Sequence, residues 1–369
     1  MNSNLLQRAT RVGAFSLAAV LALGACSASN EEGGGNGGDG GDSNLSGTLN
    51  GAGASSQEAA MTGWRNGFQS SNADVTVNYD PVGSGGGREQ FIAGGNISFA
   101  GSDAYLEGEE LAAAEERCGG QVIEIPSYIS PIAVVYNLPG VDSLNLSPET
   151  IGAIFAGDIT SWNDEAITTD NPDADLPDTE IVPVHRSDES GTTENFTSYL
   201  EAASGGSWSH GTVETWPFNG GEGADGTSGV IQAVTAGEGY IGYADASQAG
   251  DLGVANVGVG DEFVSLSPEA AAAVVDASTP VKGRAATDLA IDVARDTTES
   301  GVYPIVLVSY HIACTKYDDA NQAELVKAFL SYVISEDGQA AAADTAGSAP
   351  ISDGLRSKAE QALGAIAAG

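Results

Sequence analysis

Two strongly apolar segments, far apart in the chain, constrain its fold most. Residues 127–137 (SYISPIAVVYN) and 303–313 (YPIVLVSYHIA) are short runs rich in β-branched and aromatic residues, a pattern typical of buried strands. They flank a block of about 170 residues that carries strands and helices of its own. With 369 residues, of which 41% are hydrophobic, the chain can build two lobes. We therefore predict that these segments are the crossovers between one lobe and an inserted second lobe.

The rest of the chain alternates short strands with helices, which predicts an α/β fold. Strands are expected near residues 48–50, 75–79 and 181–184, and the first two are followed by glycine-rich turns, the second at 83–87. Met61, Trp64 and Phe68 recur at helical spacing, and Ser55 with Glu58 has the form of a capping box. Further helices are predicted at 192–200, 322–334 and 355–363. We assign 46–128 plus 305–369 to lobe I and 129–304 to lobe II, with a ligand cleft between them.

The N-terminus has the pattern of an export signal. Arg8 and Arg11 precede an apolar stretch that is too short to span a bilayer, and the sequence LGAC ends this stretch at Cys26. LGAC resembles the bacterial lipobox, in which the cysteine is lipidated; an ordinary secretory signal is the alternative. Residues 1–26 are therefore predicted to be a lipoprotein signal peptide. Residues 27–45, mostly Gly, Asp, Asn and Ser, are predicted to be a flexible tether outside the membrane.

The charge of the chain excludes one class of partner. It has 51 acidic and 13 basic residues, which gives a net charge of −38. Such a field repels nucleic acid and anionic membranes, so we expect no nucleic-acid partner and membrane contact through the lipid anchor only. Most of the acidity is expected to form a solvated surface.

Cysteine and histidine positions argue against a metal or cofactor. Besides Cys26, the chain has Cys118 and Cys314, and such a pair in an exported chain suggests one disulfide; two buried thiols are the alternative. Zinc-ligand spacing is absent, and the three histidines are widely dispersed. The aspartate-rich loop 168–180 lacks the central glycine and closing glutamate of an EF-hand loop, which favours an acidic surface loop over a calcium site.

Turns rich in Ser, Thr and Gly between strands and helices are the main functional signal. A helix N-terminus exposes unpaired N–H groups and the positive end of the helix dipole, so small residues there let an anion approach. In VHRSDESGTTENF, Ser190, Gly191 and Thr192 are candidate donors, and Arg186 is the charge that offers a bidentate fork. Each turn alone is better explained by helix capping; three turns together favour an oxyanion site.

These motifs resemble a known family, the substrate-binding lipoprotein of the bacterial phosphate ABC importer, of the PstS type. The resemblance extends in order through the chain after the tether. It rests on LNGAGASSQ, VGSGGGREQ, ISFAGSDAYL, IGAIFAGDITSWNDEAI and HRSDESGTTENF, each of which is similar to a family segment. The resemblance implies a two-lobed periplasmic-binding-protein fold of the type II kind, with the ligand in the cleft.

The resemblance also implies which residues bind phosphate, and Asp188 is expected to orient the arginine. The phosphate-binding set comprises Ser55, Ser56, Ser84, Asp103, Arg186, Ser190, Gly191 and Thr192. Ser55 would supply a hydroxyl and Ser56 a backbone N–H. The sequence departs from the family pattern at three positions: Ser56 replaces a usual aromatic residue, Ser55 a common Thr, and Gly85 a frequent second Ser. These departures concern fine affinity more than ligand class.

Asp103 suggests how the site would choose its ligand. A carboxylate beside an anion is repulsive unless it accepts a hydrogen bond, and hydrogen phosphate has a proton to donate while sulfate has none. Two buried acceptors facing each other cost several kcal/mol, so sulfate should be rejected. Taken in isolation, Asp103 is better explained as a turn or helix-cap residue, and a lone Arg186 as a surface ion pair; the adjacent Ser-Gly-Thr changes the interpretation of Arg186.

The sequence thus predicts a non-enzymatic receptor that captures inorganic phosphate outside the cytoplasmic membrane and delivers it to ABC permease subunits. Three alternatives stay open. One is a receptor for another tetrahedral oxyanion such as sulfate, molybdate or arsenate, and one is an adhesion or sensing protein. The last is a secreted hydrolase with Ser190 or Ser84 as nucleophile and His185 as base, although no Gly-x-Ser-x-Gly elbow is present and His185 should point away from Arg186.

Overall fold

A central mixed sheet organises the protein, of which the computed structural model describes residues 45–369. The strands are β1 Gly47–Gly53, β2 Val75–Asp80, β3 Phe99–Ser102, β4 Val122–Asn137, β5 Asn145–Leu146, β6 Val182–Arg186, β7 Glu222–Ala224, β8 Tyr240–Asp245, β9 Gly253–Val254, β10 Asn256–Val259, β11 Glu262–Val264, β12 Thr279–Pro280, β13 Ile291–Asp292, β14 Val306–Cys314, β15 Lys316–Tyr317 and β16 Ala367–Ala368. Nine of them form the central sheet in the order β2-β1-β3-β14-β4-β8-β6-β7, with β9 also paired to β4.

Helices alternate with these strands along the chain, as expected for an α/β fold. They are α1 Glu58–Ser71, α2 Ser84–Ala93, α3 Gly108–Cys118, α4 Pro148–Ala156, α5 Glu165–Asp170, α6 Gly191–Ala203, α7 Gly226–Ala236, α8 Pro268–Ala277, α9 Ala320–Ile334, α10 Glu336–Ala346 and α11 Asp353–Gly364. The predicted helices at 192–200, 322–334 and 355–363 correspond to α6, α9 and α11. In α1, Met61, Trp64 and Phe68 are buried, as their spacing predicts.

Strand β4 belongs to both parts of the sheet. Its residues 122–131 pair antiparallel with β14, and its residues 132–137 pair antiparallel with β8. Pro131 stands where the partner changes, and proline has no N–H to contribute to a ladder. We call β2, β1, β3, β14 and residues 122–131 of β4 the first half-sheet. The second half-sheet comprises residues 132–137 of β4 with β9, β8, β6 and β7.

The two apolar segments singled out in the sequence become β4 and β14 and lie side by side. Every residue of β14 is buried, and so is all of β4 except its last residue. The return from the inserted block passes through Ile305, whose carbonyl accepts a hydrogen bond from Ile132 N at 2.8 Å. The prediction that these segments are buried strands is confirmed, and their role as crossovers between two lobes stays a prediction.

Parallel pairing brings the ends of several strands to one place. In the first half-sheet β1 pairs parallel with β2 and β3, and in the second β6 pairs parallel with β7 and β8. The carboxyl ends of parallel strands meet at the same edge of a sheet, where the connections to the following helices begin. The Ser-, Thr- and Gly-rich turns are therefore placed together.

One segment of the predicted lobe II lies against the first half-sheet. Glu124 N donates to the Thr287 carbonyl at 3.3 Å, and Leu289 N donates to the Glu124 carbonyl at 2.9 Å. Arg284 Nη2 donates to the Leu106 carbonyl at 2.6 Å. The lobe limits 46–128 plus 305–369 and 129–304 stay a prediction. Under these limits, residues 284–289 belong to lobe II but form hydrogen bonds to lobe I.

Two local predictions are wrong. Ser55 and Glu58 do not form a capping box, because Ser55 lies in a 3-10 helix, Ser55–Gln57, and its hydroxyl accepts from Thr227 N at 3.1 Å. The predicted glycine turn at 83–87 is confined to Gly83, and α2 begins at Ser84. Gly83 has φ +87°, a left-handed conformation suited to glycine, and three glycines then continue as helix.

A disulfide joins α3 to β14, a strand of the first half-sheet. Cys118 at the end of α3 is bonded to Cys314 at the end of β14, 196 residues later, with an S–S distance of 2.04 Å.

Within residues 45–369 no helix combines the length and apolarity needed to cross a membrane. The predicted signal peptide 1–26 and its Cys26 lie outside the described residues, as does nearly all of the tether 27–45.

Candidate functional site

Turns from both half-sheets converge on one buried polar cluster. The turn after β1 supplies Ser55 and Ser56, the turn after β2 supplies Ser84, and Asp103 follows β3. From the second half-sheet, the turn between β6 and α6 supplies the segment 190–192. The structure places these sequence-predicted residues together, and all of them are buried.

Asp103 is the centre of this cluster. Its Oδ1 accepts hydrogen bonds from Ser56 Oγ at 2.7 Å and from Ser309 Oγ at 2.6 Å. Its Oδ2 accepts from Ser56 Oγ at 2.9 Å and from Thr192 Oγ1 at 3.0 Å. The backbone N of Asp103 donates to Ser84 Oγ at 3.1 Å. Because Thr192 comes from the second half-sheet, this network joins the two half-sheets.

The environment acts on the pKa of Asp103 in two directions. Burial disfavours the carboxylate and raises the pKa above its ordinary value. Hydrogen bonds from Ser309, Ser56 and Thr192 and the positive charge of Arg186 favour the carboxylate and oppose this rise. The hydroxyls therefore offset part of the cost of burying a charged acceptor.

Ser55 makes a second connection across the half-sheets. Its Oγ accepts from Thr227 N at 3.1 Å, and the two hydroxyl oxygens also lie 3.1 Å apart. Its carbonyl accepts from Gln248 Nε2 at 3.2 Å. Thr227 lies at the start of α7, in the sequence ADGTSGV, so a further Ser-, Thr- and Gly-containing turn contributes to the site.

Arg186 ends β6 with its side chain 2% exposed. Its Nε donates to Asp188 Oδ1 at 2.6 Å, and its Nη2 donates to Asp188 Oδ2. Asp188 also accepts from Gly226 N at 3.2 Å. Although burial opposes its charge, the hydrogen bonds and charge of Arg186 lower the pKa of Asp188, so this carboxylate stays ionised and fixes the guanidinium.

The N-terminus of α6 approaches Asp103 very closely. A Cβ atom built on Gly191 would lie 2.7 Å from Asp103 Cβ and 2.7 Å from Ser84 Oγ, so only glycine fits. Ser190 is the N-cap of α6, and its Oγ accepts from Thr193 N at 3.2 Å. The first free N–H groups of α6 therefore lie next to the Asp103 cluster, where they favour an anion.

Asn195 holds the backbone of Asp103 in place. Its Nδ2 donates to the carbonyls of Asp103 and Gly191, both at 2.8 Å. The Oδ1 of Asn195 accepts from the buried Arg295, which also donates to the Val306 carbonyl at 2.9 Å. Asn195 and Arg295 were not expected from the sequence.

A separate ionic contact joins the half-sheets beside this cluster, and we call it the Arg88 clasp. Arg88, on α2, donates from Nη1 and Nη2 to the two carboxylate oxygens of Glu214 at 2.9 and 2.6 Å, and from Nε to Glu110 at 2.9 Å. Arg88 also donates to Ser102 Oγ at 3.1 Å, while Ser190 N donates to the Glu214 carbonyl at 3.1 Å. The clasp is therefore bonded to both sides of the anion cluster.

His185 is not arranged as a catalytic base for either candidate serine. Its Nδ1 lies 2.9 Å from the Arg186 carbonyl and its Nε2 lies 3.1 Å from the Gly220 carbonyl. Its ring stacks on Trp216 with centroids 4.7 Å apart. Among the described residues, its hydrogen bonds go to neither Ser84 nor Ser190, which disfavours the hydrolase hypothesis.

The site can hold a small oxyanion and read its protonation. It offers hydroxyls, helix N-terminal amides and one arginine as donors, and the Asp103 carboxylate as an acceptor. In the described part of the chain no three His, Cys, Asp or Glu side chains are grouped so that they could hold a metal ion.

Ser309 and Thr227 were missed by sequence reasoning for different reasons. Thr227 lies at the start of a helix that follows a short strand, in a Gly-Thr-Ser-Gly sequence, which is the same signal that identified the other turns. Ser309 lies within the apolar strand β14 and has no local signal. Its role depends on the pairing of β14 with its neighbours.

Comparison with known proteins places the chain in a family. The model of the PBP superfamily domain matches residues 40–337. The chain is 41% identical over 329 residues to the phosphate-binding protein PstS 3 of Mycobacterium leprae (strain TN), with 87% of each chain covered. It is 33% identical over 298 residues to the phosphate-binding protein PstS of Xylella fastidiosa (strain Temecula1), with 79% of this chain and 78% of that protein covered.

Solved structures share the fold. A high affinity periplasmic phosphate-binding protein (PfluDING) bound with phosphate matches with a TM-score of 0.69 at 24% identity, covering 85% of this chain and 93% of that chain. A phosphate-binding protein from Stenotrophomonas maltophilia matches with a TM-score of 0.64 at 22% identity, covering 86% and 94%. At these identities the structures support the two-lobed architecture alone.

Proposed function

The chain belongs to the PBP superfamily and, within it, to the PstS phosphate-binding proteins, and on this premise we propose that it captures inorganic phosphate and delivers it to an ABC importer. The half-sheets are the cores of its two lobes, and the ligand is held where they meet. Its ligand contacts are those implied by the family resemblance: Ser55, Ser56, Ser84, Asp103, Arg186, Ser190, Gly191 and Thr192. Asp188 orients Arg186, which it already contacts through two oxygens.

The observation that carries this proposal is the donor set around Asp103. Hydroxyls from Ser56, Ser309 and Thr192 all donate to its carboxylate, as an ionised acceptor requires. An ionised Asp103 accepts a hydrogen bond from hydrogen phosphate and repels an anion that carries no proton. A buried acceptor facing another acceptor costs about 1 to 3 kcal/mol or more, which favours phosphate over sulfate.

An anionic ligand is compatible with a net charge of −38. Charges on the surface are screened within roughly 8 to 10 Å at physiological ionic strength, whereas amide dipoles and hydroxyls inside the site act at contact distance. The one arginine of the set shares its charge with Asp188. The neutral donors of the turns therefore supply much of the attraction for the anion.

The location and partner follow from the N-terminus and from the family. We place the protein outside the cytoplasmic membrane, attached by a lipid on Cys26 and by the tether 27–45. ABC permease subunits are its protein partners. A tether of this composition spans roughly 25 Å, which lets the binding lobes reach a permease in the same membrane.

The protein acts by binding and lobe closure, not by catalysis. The position of His185, stacked on Trp216 and bonded to backbone carbonyls, supports this proposal over a serine hydrolase. Incubation with a chromogenic phosphate ester should release no product, and turnover that Ser190→Ala abolishes would instead establish the hydrolase.

Isothermal titration of the purified full-length chain, freed of bound ligand, tests the proposal. Phosphate at neutral pH should bind with a Kd of micromolar or below, and sulfate should give no heat. Binding of sulfate without phosphate would keep a two-lobed receptor but change its ligand. No response to either anion would refute the proposed function. Arsenate serves as a third ligand, because its protonation is close to that of phosphate.

A further inference from the structure

Ser309 contacts Asp103 from a strand that carries none of the expected ligands. Ser309 lies on β14 and is fully buried, and its Oγ is 2.6 Å from Asp103 Oδ1. β14 pairs antiparallel with β3, with Tyr310 opposite Ser102, so the preceding residue, Ser309, lies beside Asp103, which follows β3. The pairing of β14 with β3 therefore accounts for a polar side chain of this apolar strand reaching the anion site.

The direction of the Ser309 hydrogen bond is fixed by Gln57. Gln57 Nε2 lies 2.6 Å from Ser309 Oγ and 3.2 Å from the Tyr310 carbonyl. A carbonyl only accepts, so the Gln57 atom facing it is the amide nitrogen, which only donates. Ser309 Oγ accordingly accepts from Gln57 and has its single proton left for Asp103. The chain of donors runs one way, from Gln57 to Ser309 to the carboxylate.

This arrangement makes the two oxygens of Asp103 unequal. Oδ1 receives the shorter bonds, from Ser309 at 2.6 Å and Ser56 at 2.7 Å, and Oδ2 receives the longer ones, from Ser56 at 2.9 Å and Thr192 at 3.0 Å. Each oxygen has two contacts, but Ser56 has a single proton to share between them, and its shorter contact is to Oδ1. Oδ2, which has the longer contacts, therefore has the greater capacity to accept a hydrogen bond from a ligand.

We infer that Ser309 is a specificity-determining residue of the anion site: by donating to Oδ1 it holds Asp103 as an ionised acceptor, so that only an anion carrying a proton is admitted. The inference rests on the proposed phosphate-binding function and adds to it a residue outside the family ligand set. Ser309 is a positioning residue, since it acts through Asp103.

Electrostatics of the surroundings agrees with this role. Burial raises the pKa of Asp103, and the hydrogen bond from Ser309 opposes this rise together with those from Ser56 and Thr192. Groups that interact electrostatically with Asp103 include Arg186 on β6, which favours its charge, and the buried Tyr79 on β2, whose own pKa is raised by burial and by Asp103. Without Ser309, Asp103 takes up a proton at a higher pH. A protonated Asp103 can donate a hydrogen bond to a sulfate oxygen, so the site can then bind sulfate.

The test is a pH series of titrations on the purified full-length chain, with phosphate and with sulfate as ligands. In Ser309→Ala, phosphate binding should persist. Sulfate binding should appear at a pH about one to two units higher than in the unmodified protein, the shift expected for loss of one hydrogen bond to a charged group. Gln57→Leu should shift the same profile less, because the Ser309 hydroxyl remains.

Two further variants serve as a control and as a reference without the Asp103 carboxylate. Ser98→Ala is the matched control, since it removes a buried hydroxyl that accepts from Gln322 Nε2 at 2.7 Å away from the site, and its profile should equal that of the unmodified protein. Asp103→Asn should bind sulfate without pH dependence. Circular dichroism verifies that each variant is folded.

The outcomes separate this inference from the proposed function. If the unmodified protein binds no phosphate, the proposed function fails. If it binds phosphate and rejects sulfate, but folded Ser309→Ala shows the same pH profile for sulfate, the inference is overturned and the function stands. A folded Ser309→Ala that binds neither anion at any pH also overturns it, because Ser309 would then be needed for binding rather than for selection.

Discussion

The Asp103 cluster and the Arg88 clasp both join the first half-sheet to the second, yet they use different chemistry. At Asp103 the donor from the second half-sheet, Thr192, is a neutral hydroxyl, and so are the donors Ser56 and Ser309. In the clasp, a guanidinium 3% exposed is paired with Glu214 and Glu110. Although burial disfavours its charge, these carboxylates hold the pKa of Arg88 above its ordinary value. The Asp103 cluster lies beside helix N-terminal amides that can donate to a ligand, whereas the charges of the clasp are neutralised by one another.

This difference separates two tasks. A site that must bind an anion needs donors whose charge is not already cancelled, and neutral hydroxyls and amides meet that need. A contact that only holds the half-sheets in register can be a closed ion pair, which fixes geometry at little net gain in stability. Changes at the Asp103 cluster should therefore alter which anion binds and how tightly. Changes at the Arg88 clasp should alter mainly the rate at which the bound anion dissociates.

Arg186→Ala should give the largest effect, because Arg186 is the cation of the proposed binding set and its loss leaves the partly buried Asp188 without its cation. Phosphate binding should weaken by about 3 to 5 kcal/mol, measured by isothermal titration. Arg65→Ala is the control, since Arg65 donates to the Val77 carbonyl in the first half-sheet and should leave affinity unchanged. Near-normal affinity of Arg186→Ala would locate the anion site elsewhere.

Asp103→Asn should change selectivity more than affinity. The amide keeps the shape of the carboxylate but can donate to an anion, so discrimination between phosphate and sulfate should fall by roughly 100-fold, about 2.7 kcal/mol. Competition of sulfate against bound phosphate measures this ratio. Unchanged discrimination would show that the site does not read the ligand proton through Asp103.

Arg88→Met should act mainly on the rate of release. Loss of the clasp leaves Glu214 and Glu110 facing each other without their cation, so the closed arrangement should be weakened by about 1 to 3 kcal/mol. Stopped-flow dissociation of phosphate should become faster by roughly tenfold or more, with selectivity against sulfate retained. A double variant with Glu214→Gln should recover part of the loss. A change in selectivity would contradict the division of tasks.

Glu194→Gln should give the smallest effect, and it depends on pH. Burial, together with the charge and hydrogen bonding of Glu214, raises the pKa of Glu194 to about 8. A carboxyl group with a raised pKa in the folded state stabilises the fold while it is protonated, and this contribution is lost as pH rises from its ordinary range towards 8. The unmodified protein should lose thermal stability over that interval.

Glutamine at position 194 keeps a neutral side chain at every pH, so the variant should lose less stability between pH 5 and pH 8 than the unmodified protein. At pH 8 its Tm should be higher by about 2 to 4 °C, which corresponds to about 1 kcal/mol. Calorimetric scans at several pH values measure both quantities. Parallel pH profiles for the two proteins would show that Glu194 does not hold a proton at neutral pH.

The features that were predictable from sequence are those encoded locally or by the family. The apolar runs at 127–137 and 303–313 identified β4 and β14, because burial on both faces leaves a continuous hydrophobic pattern. The Gly-rich turns identified Ser84, Gly191 and Thr192, because close backbone approach needs small residues. Asp103 was expected through the resemblance, since an aspartate after a short strand has no distinctive pattern of its own.

The features that were not predictable depend on pairing between distant segments. Ser309 meets Asp103 through the antiparallel pairing of β3 with β14, which are distant in the sequence. Arg88 and Glu214 are 126 residues apart, and nothing near either residue marks it as a partner. The capping box at Ser55 failed for the same reason, because a tertiary contact with Thr227 uses the hydroxyl that a local cap would have used.

The disulfide between Cys118 and Cys314 turns the middle of the chain into a covalent ring, with all of β6, β7 and β8 inside it. A single proteolytic cut in the ring, for example in the exposed stretch after α6, opens the ring but releases no fragment. For a protein that works outside the cell's interior, a nicked molecule would therefore stay in one piece. Reduction together with a cut would be needed to separate the parts.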